Sequence, residues 1–263
     1  CSACLSSGRF LSIFTRDQLT ADDLRTQLKR PVEFLGNPFM DPVLTDQPQL
    51  PTCNSRLGLL PGSRRPELDD NLLLMLRLFD SFPMQKLINS DISFDMALVP
   101  ALGDVDLRHL VALKGWQLRA SDTNNGSFQL VRNHCKITVH RNSFVNVLQS
   151  SDVLLCMAGT AAEQAAGLGK PIVQLLGNGP QFTKAFAEAQ QRLLGPAIFC
   201  AEGNVGEEVH FRKTGQLIVD LLARIKSDFY LRQKCKQEAV LRLGIKGGVE
   251  KISKVILRLT FEI

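Results

Sequence analysis

An α/β fold built on a doubly wound, Rossmann-like parallel sheet is what this sequence predicts, and three observations predict it. Short apolar runs alternate along the chain with longer segments of helical periodicity. One run, residues 153–157, is apolar throughout and bounded by turn signals, as in a strand covered on both faces of a parallel sheet. Glycines and prolines punctuate the alternation at strand-to-helix and helix-to-strand junctions.

The elements follow in order. Residues 1–44 carry a short helical pattern at 21–28 with Thr20 as the expected N-cap, then an extended stretch at 32–35 and the turn Gly36-Asn37-Pro38. Residues 45–55, with Pro48 and Pro51 and little apolar content, are expected to link this segment to the main domain at 56–263. There, 57–60 reads as a strand, 61–65 as a turn and 66–82 as a helix with Pro66 suited to its first position. A second strand is expected at 94–99 and a helix at 105–113. Short extended segments follow at 116–119, 128–131 and 136–140, with the turn Asn124-Asn125-Gly126 between the first two and a brief helix at 143–149. After the strand at 153–157, Ala158-Gly159-Thr160 opens a helix to about residue 166, closed by Gly167 and Gly169, and Pro171 leads into a strand at 172–176. A helix at 182–194, a strand at 197–200 and helices at 214–226, 230–243 and 249–259 complete the chain.

Composition narrows the function. The 263 residues are 44% apolar, enough for a large core, and 31 lysines and arginines against 26 aspartates and glutamates leave a net charge of +5. The basic residues are scattered and not interleaved with aromatics, which argues against nucleic acid. The excess favours encounter with anionic ligands or an anionic membrane surface. Charged residues interrupt every apolar stretch before the roughly 20 residues that span a bilayer. The N-terminus has no apolar core of a signal peptide, and its lack of a methionine suggests a processed or truncated chain. The seven cysteines are an odd, widely spaced set, for which a reducing compartment is expected. Cys1 and Cys4 form a lone C-x-x-C at the terminus, and His109, His134, His140 and His210 have no i, i+4 pairing, so no metal site is expected.

Ligands of doubly wound sheets bind beyond the carboxyl ends of the strands, which directs attention to three loops. In the first, Gly62, Ser63 and Arg64 offer close backbone approach, a hydroxyl and a guanidinium fork that matches phosphate. A plain turn with a solvated Arg64-Arg65 pair is the alternative. In the second, Gly159 and Thr160 present helix-start amides and the positive end of the helix dipole to an anion. Thr160 with Glu163 also reads as a capping box, which would satisfy those amides internally. Glu163 or Gln164 would reach a sugar hydroxyl. In the third loop, Asn178, Gln181 and Thr183 lie beside Gly177, Gly179 and Pro180, either as ligand contacts or as a plain connection.

Three segments carry a family resemblance. Phe34-Leu35-Gly36-Asn37-Pro38-Phe39-Met40-Asp41, Leu59-Leu60-Pro61-Gly62-Ser63-Arg64 and Met157-Ala158-Gly159-Thr160-Ala161-Ala162-Glu163-Gln164 resemble lipid-A-disaccharide synthases in order and spacing. The run from Gly179 to Gln190 is similar to the cyanobacterial group related to them. The resemblance covers about residues 14–195. It implies the C-terminal, donor-binding half of a GT-B glycosyltransferase that moves a sugar from a UDP-sugar to a lipid-linked sugar acceptor without metal or cofactor. It also implies cytoplasmic placement with peripheral contact at the inner face of the plasma membrane. By carry-over, Gly62-Ser63-Arg64 and Gly159-Thr160 hold the pyrophosphate, and Glu163 or Gln164 meets the ribose. The family places an aliphatic residue and then glutamate after Gly-Thr-Ala-Ala, whereas this chain has Glu163 followed by Gln164. Residues 1–44 correspond to the end of an acceptor domain, whose remainder, with the base, belongs to the same or a partner chain. No catalytic base is evident among the residues present. Two other readings share the fold: a UDP-N-acetylglucosamine 2-epimerase relative, which needs carboxylates and a histidine in its cleft that no sequence cluster supplies, and a non-catalytic nucleotide-sugar-binding module.

Overall fold

The structure, a computed structural model, describes residues 2–120, 128–180 and 182–261. Cys1, the Asn124-Asn125-Gly126 turn and Gln181 lie outside the described residues. The N-terminal segment holds α1 (Ser2–Leu5), α2 (Gln18–Leu28) and α3 (Met40–Val43). Next come β1 (Ser55–Leu60), α4 (Glu67–Leu78), α5 (Phe82–Ile88), β2 (Ile92–Leu98), α6 (Asp104–Ala112), β3 (Gln117–Ala120), β4 (Phe128–Arg132), β5 (Cys135–Arg141) and α7 (Phe144–Ser150). The second half holds β6 (Val153–Cys156), α8 (Gly159–Gly167), β7 (Ile172–Gln174), α9 (Lys184–Leu194), β8 (Ile198–Cys200), α10 (Glu208–Ser227), α11 (Phe229–Leu243) and α12 (Gly248–Phe261).

The strands form one sheet in the order β3-β4-β5-β2-β1-β6-β7-β8. Six strands from β5 to β8 are parallel. At one edge β3 and β4 run antiparallel, with Arg132 opposite Cys135 across a two-residue turn in which Asn133 takes the left-handed conformation. Every residue of β1 and β6 is buried, because helices cover both faces of the sheet centre. The chain builds outward from β1 through β2 to β5, then restarts on the other side with β6. The crevice between the carboxyl ends of β1 and β6 is therefore a topological switch point.

Several expectations are corrected. The cap of α2 is Asp17, whose Oδ1 accepts from the Thr20 amide at 2.7 Å and whose Oδ2 accepts from the Thr20 hydroxyl at 2.8 Å; Thr20 is the residue being capped. The helix expected at 66–82 stops at Leu78, and a separate helix starts at Phe82 with Pro83 in its first turn, where a missing N–H costs nothing. The helix expected at 214–226 begins at Glu208, six residues before its expected start. Its first turn buries His210 and Phe211, and His210 Nε2 accepts from the Leu176 amide at 3.2 Å just beyond β7. Burial holds His210 below its ordinary pKa, in keeping with a neutral ring that accepts.

Within residues 1–44, Ile13, Ala21 and Val32 form a small apolar cluster separate from the main core. Farther along, Met40 and Val43 of α3 are buried in the main core, and polar contacts add to that docking. Asp41 accepts from the amides of Gly247, Gly248 and Val249 at the start of α12. Burial works to raise the Asp41 carboxyl, but those three amides and Lys246 hold it below its usual value.

Candidate functional site

A cleft of about 890 Å³ opens over the switch point. Gly62, Ser63, Arg64, Gly159, Thr160, Glu163 and Gln164 all line it, so residues separated by a hundred positions in sequence meet at one place. Asn178 is exposed and outside the lining. Thr183 accepts from the Phe186 amide at 3.2 Å as the cap of α9 and also stands outside this cleft's wall.

The loop after β1 is shaped by Gly62, whose φ of +115° lies in the left-handed region. A Cβ there would stand 3.2 Å from the Met157 carbonyl oxygen, so the loop after β6 presses directly on the loop after β1. Asn71, on α4 and 2% exposed, joins the two: its Nδ2 donates to Pro61 O at 2.9 Å and to Met157 O at 3.2 Å. The neighbouring arginines divide their work. Arg65 is tied to Asp69 and to Asp106, with N–O distances of 2.8 and 2.6 Å. Arg64 has no side-chain partner among the described residues and lines the cleft.

The start of α8 differs from the capping box expected of Thr160 and Glu163. The N-cap is Ala158, with no side-chain capping bond. Glu163 is 5% exposed and faces the N-terminal segment: its Oε1 accepts from Asn37 Nδ2 at 2.7 Å, and Arg16 Nη1 lies 3.5 Å from its Oε2. Burial pushes the Glu163 carboxyl up, opposed by Arg16 and Asn37. Gln164 donates to Phe39 O at 2.9 Å. With Glu163 drawn away, the amides of Gly159, Thr160 and Ala161 have no backbone or side-chain acceptor among the described residues. They and Arg64 supply oriented N–H groups and a positive charge on two sides of one cleft, a combination suited to an anion bearing several oxygens.

Sequence reasoning missed three features. Asn71 was read as part of an apolar helix; its signal is a polar residue on the stripe that holds Leu68, Leu72 and Met75, all buried. The second is a charged network behind the cleft wall, which brings one carboxylate and one histidine together without placing the carboxylate in the cleft. Asp95 on β2 receives Arg56 Nη1 at 2.7 Å and the Ser93 hydroxyl at 2.6 Å on Oδ2, while His140 Nε2 lies 2.6 Å from Oδ1. Burial alone would raise Asp95, but the bonds from His140 and Ser93 and the Arg56 charge hold it below its ordinary value. His140 lines the cleft. The third feature is an apolar wall of Phe182, Phe186, Ala189 and Leu193 leading into and along α9. No group of acidic, histidine and cysteine residues able to hold a metal occurs among the described residues, and no described helix is long and apolar enough to cross a membrane.

No protein-family model matches this chain, and no curated protein matches it in sequence. Solved structures do match. A protein from Listeria monocytogenes assigned as a UDP-N-acetylglucosamine 2-epimerase superposes with a TM-score of 0.54 at 16% identity, covering 96% of this chain and 60% of that one. The complex of S. aureus MnaA with UDP gives 0.53 at 14% identity, covering 95% and 61%. The glycosyltransferase SnogD from Streptomyces nogalater gives 0.47 at 14%, covering 94% and 57%. This chain thus spans about three fifths of the length of these structures, and what it shares with the first two is the Rossmann-like α/β fold.

Proposed function

We propose that this chain binds a UDP-sugar through its diphosphate and is the donor-binding half of a GT-B glycosyltransferase of the lipid-A-disaccharide synthase type. The observation that carries the reading is the meeting, at the switch point, of an unpaired Arg64 with the uncapped amides of α8. In this reading Arg64 and the amides of Gly159 and Thr160 hold the pyrophosphate and stabilise the charge that develops on the leaving diphosphate. Gly62 and Ser63 let the backbone approach it. Gln164 meets the ribose, because its side chain is less buried than that of Glu163, which is engaged by Asn37 and Arg16. Residues 1–44, whose Ile13, Ala21 and Val32 cluster apart from the main core, are the last part of an acceptor domain, and a lipid-linked sugar would be delivered across the cleft from a membrane surface.

A second reading has a specific observation behind it. The His140–Asp95 pair sets a histidine on the cleft wall with a carboxylate buried behind it, part of the set that a nucleotide-sugar epimerase would need. Calorimetric titration of UDP and of UDP-N-acetylglucosamine tests the shared part of both readings. Binding of both in the micromolar to millimolar range is expected, and absence of heat with either ligand would remove the proposal. Incubation of UDP-N-acetylglucosamine with and without a lipid-linked sugar then separates them: acceptor-dependent release of UDP supports transfer, and appearance of the 2-epimer supports epimerisation.

A further inference from the structure

Two arginines line the cleft from different parts of the chain. Arg64 comes from the loop after β1, and Arg16 comes from the N-terminal segment, just ahead of α2. The backbone on either side of Arg16 is pinned: the Thr15 amide donates to Glu33 O at 3.0 Å, the Thr15 hydroxyl donates to Asp17 O at 2.9 Å, and Asp17 uses both carboxylate oxygens on Thr20. The Arg16 side chain is not pinned. It is 57% exposed and lies 3.5 Å from Glu163 Oε2 and 3.8 Å from Asp17 Oδ2, both longer than the roughly 2.7–2.9 Å of a charge-assisted hydrogen bond.

Glu163 is the opposite case. It is buried and its Oε1 is held by Asn37 at 2.7 Å, so only Oε2 depends on Arg16. Arg16, Asp17 and Asn37 are the polar groups that act on it from the N-terminal segment. Of the other elements packed on α8, α3 turns Asp41 toward the start of α12, and α11 brings Lys236 against Gly169, past the end of α8. β6 and β7 carry no charge. Glu163 stands four positions after Gly159, hence on the same face of α8 and about 6 Å along it, a distance that an arginine covers by a change of rotamer. The guanidinium therefore has two competing partners: a buried carboxylate at long range, and an anion seated on the uncapped amides at the start of the same helix.

We infer that Arg16 is a second anion-binding arginine of this cleft, supplied by the N-terminal segment, which leaves Glu163 for the diphosphate held by Arg64 and the α8 amides. The inference rests on the proposed nucleotide-sugar reading of the cleft and adds to it a contact from residues outside the main domain. A proton follows the arginine. Burial pushes the Glu163 carboxyl up and Arg16 opposes it, so departure of Arg16 raises it further, and the liganded protein holds that proton more tightly than the free one. Affinity is then greatest below the free-protein value of Glu163 and falls as pH rises to the liganded value.

The test is calorimetry on the full chain with inorganic pyrophosphate and with UDP, at stepped pH from about 5 to about 8. Arg16→Ala should weaken both ligands about five- to tenfold at the acid end of the series, and Arg16→Lys should recover part of the loss by returning the charge without the fork. Glu163→Gln removes the competitor: it should bind pyrophosphate more tightly than wild type at the neutral end, with the two affinities converging as pH falls. Ionisation of the ligand is common to both proteins and cancels in their ratio. An Arg16→Ala protein with wild-type affinity and a lowered melting temperature would mark Arg16 as a docking contact only and overturn the inference, as would a ratio of Glu163→Gln to wild-type affinity that does not change with pH. If the wild type binds neither ligand, the nucleotide-sugar reading falls as well; if it binds both and Arg16→Ala binds them equally, only the role of Arg16 is lost.

Discussion

The two loops that face each other across the cleft start from a similar sequence signal, a strand followed by a glycine and a hydroxyl residue, and come to different ends. The loop after β1 contributes a side-chain charge: Gly62 bends the backbone into the left-handed region, Arg65 is neutralised by Asp69 and Asp106, and Arg64 is left facing the cleft. The turn after β6 contributes backbone only. The carboxylate and amide one turn further on, Glu163 and Gln164, are engaged by Asn37, Arg16 and Phe39 of the N-terminal segment, and the helix-start amides stay uncapped. What the contrast teaches is that an anion site needs both an available charge and available donors, and here each is freed because a neighbour is tied up elsewhere.

Substitutions can break or sharpen this contrast. The largest effect is expected where the two loops are joined. Asn71→Ala strips the partner from two buried carbonyls and should lower stability by about 2 to 4 kcal/mol in chemical denaturation, with loss of diphosphate affinity as the loops separate. An unchanged unfolding midpoint would mean the loops hold their places without it.

Arg64→Ala should weaken UDP binding by about 1.5 to 3 kcal/mol while the melting temperature stays within a degree or so of wild type, because no interaction of the folded protein is lost. Arg65→Ala should do the opposite, leaving affinity intact and changing the melting temperature slightly. If the two variants behave alike, the division of labour between the arginines is wrong.

The β6 side is tested by pH. The folded-state pKa of Glu163 is raised, so the native protein holds that proton more tightly than the unfolded chain does. Its favourable contribution is therefore complete below the ordinary carboxyl value of 4.5 and is lost as pH rises through the folded-state value. Glu163→Gln keeps the acceptor for Asn37 without the charge. Thermal melts at stepped pH from about 4.5 upward should show the variant gaining on wild type, whereas Glu163→Ala should be less stable than Glu163→Gln throughout. A wild type that gains on the glutamine variant as pH rises would show that Arg16 outweighs burial.

The smallest effect belongs to Thr160→Ala. Since Ala158 is the cap, loss of the Thr160 side chain should change stability by no more than a few tenths of a kcal/mol, against about 1 kcal/mol for removal of a real cap such as Asp17. A parallel urea series on Thr160→Ala and Asp17→Ala would expose an error in either assignment.

Most elements of the fold were legible because their signals are local. β6 and its helix follow from an apolar run, a glycine turn and a Gly-Pro exit, and the short strands β3, β4 and β5 lie within a residue or two of their expected places. The antiparallel pairing of that edge was not legible, since strand direction depends on the path of the intervening chain. The site was half legible. Gly62, Arg64 and the α8 start could be marked as strand-end loops, but Asn71, Asp95 and His140 read as ordinary helix and strand residues until their partners were known.

By itself the sequence determined the alternation of strands and helices, the doubly wound class and the loops where a ligand would sit, since periodicity and turn chemistry act over a few residues. Only the tertiary structure decided which arginine is free, that Glu163 answers to Asn37 across 126 positions, and that His140 meets Asp95 across 45. Those outcomes depend on strand order and on which side chains are buried together. A hydrogen bond or ion pair is worth most where water is excluded, and exclusion of water is a property of the assembled fold.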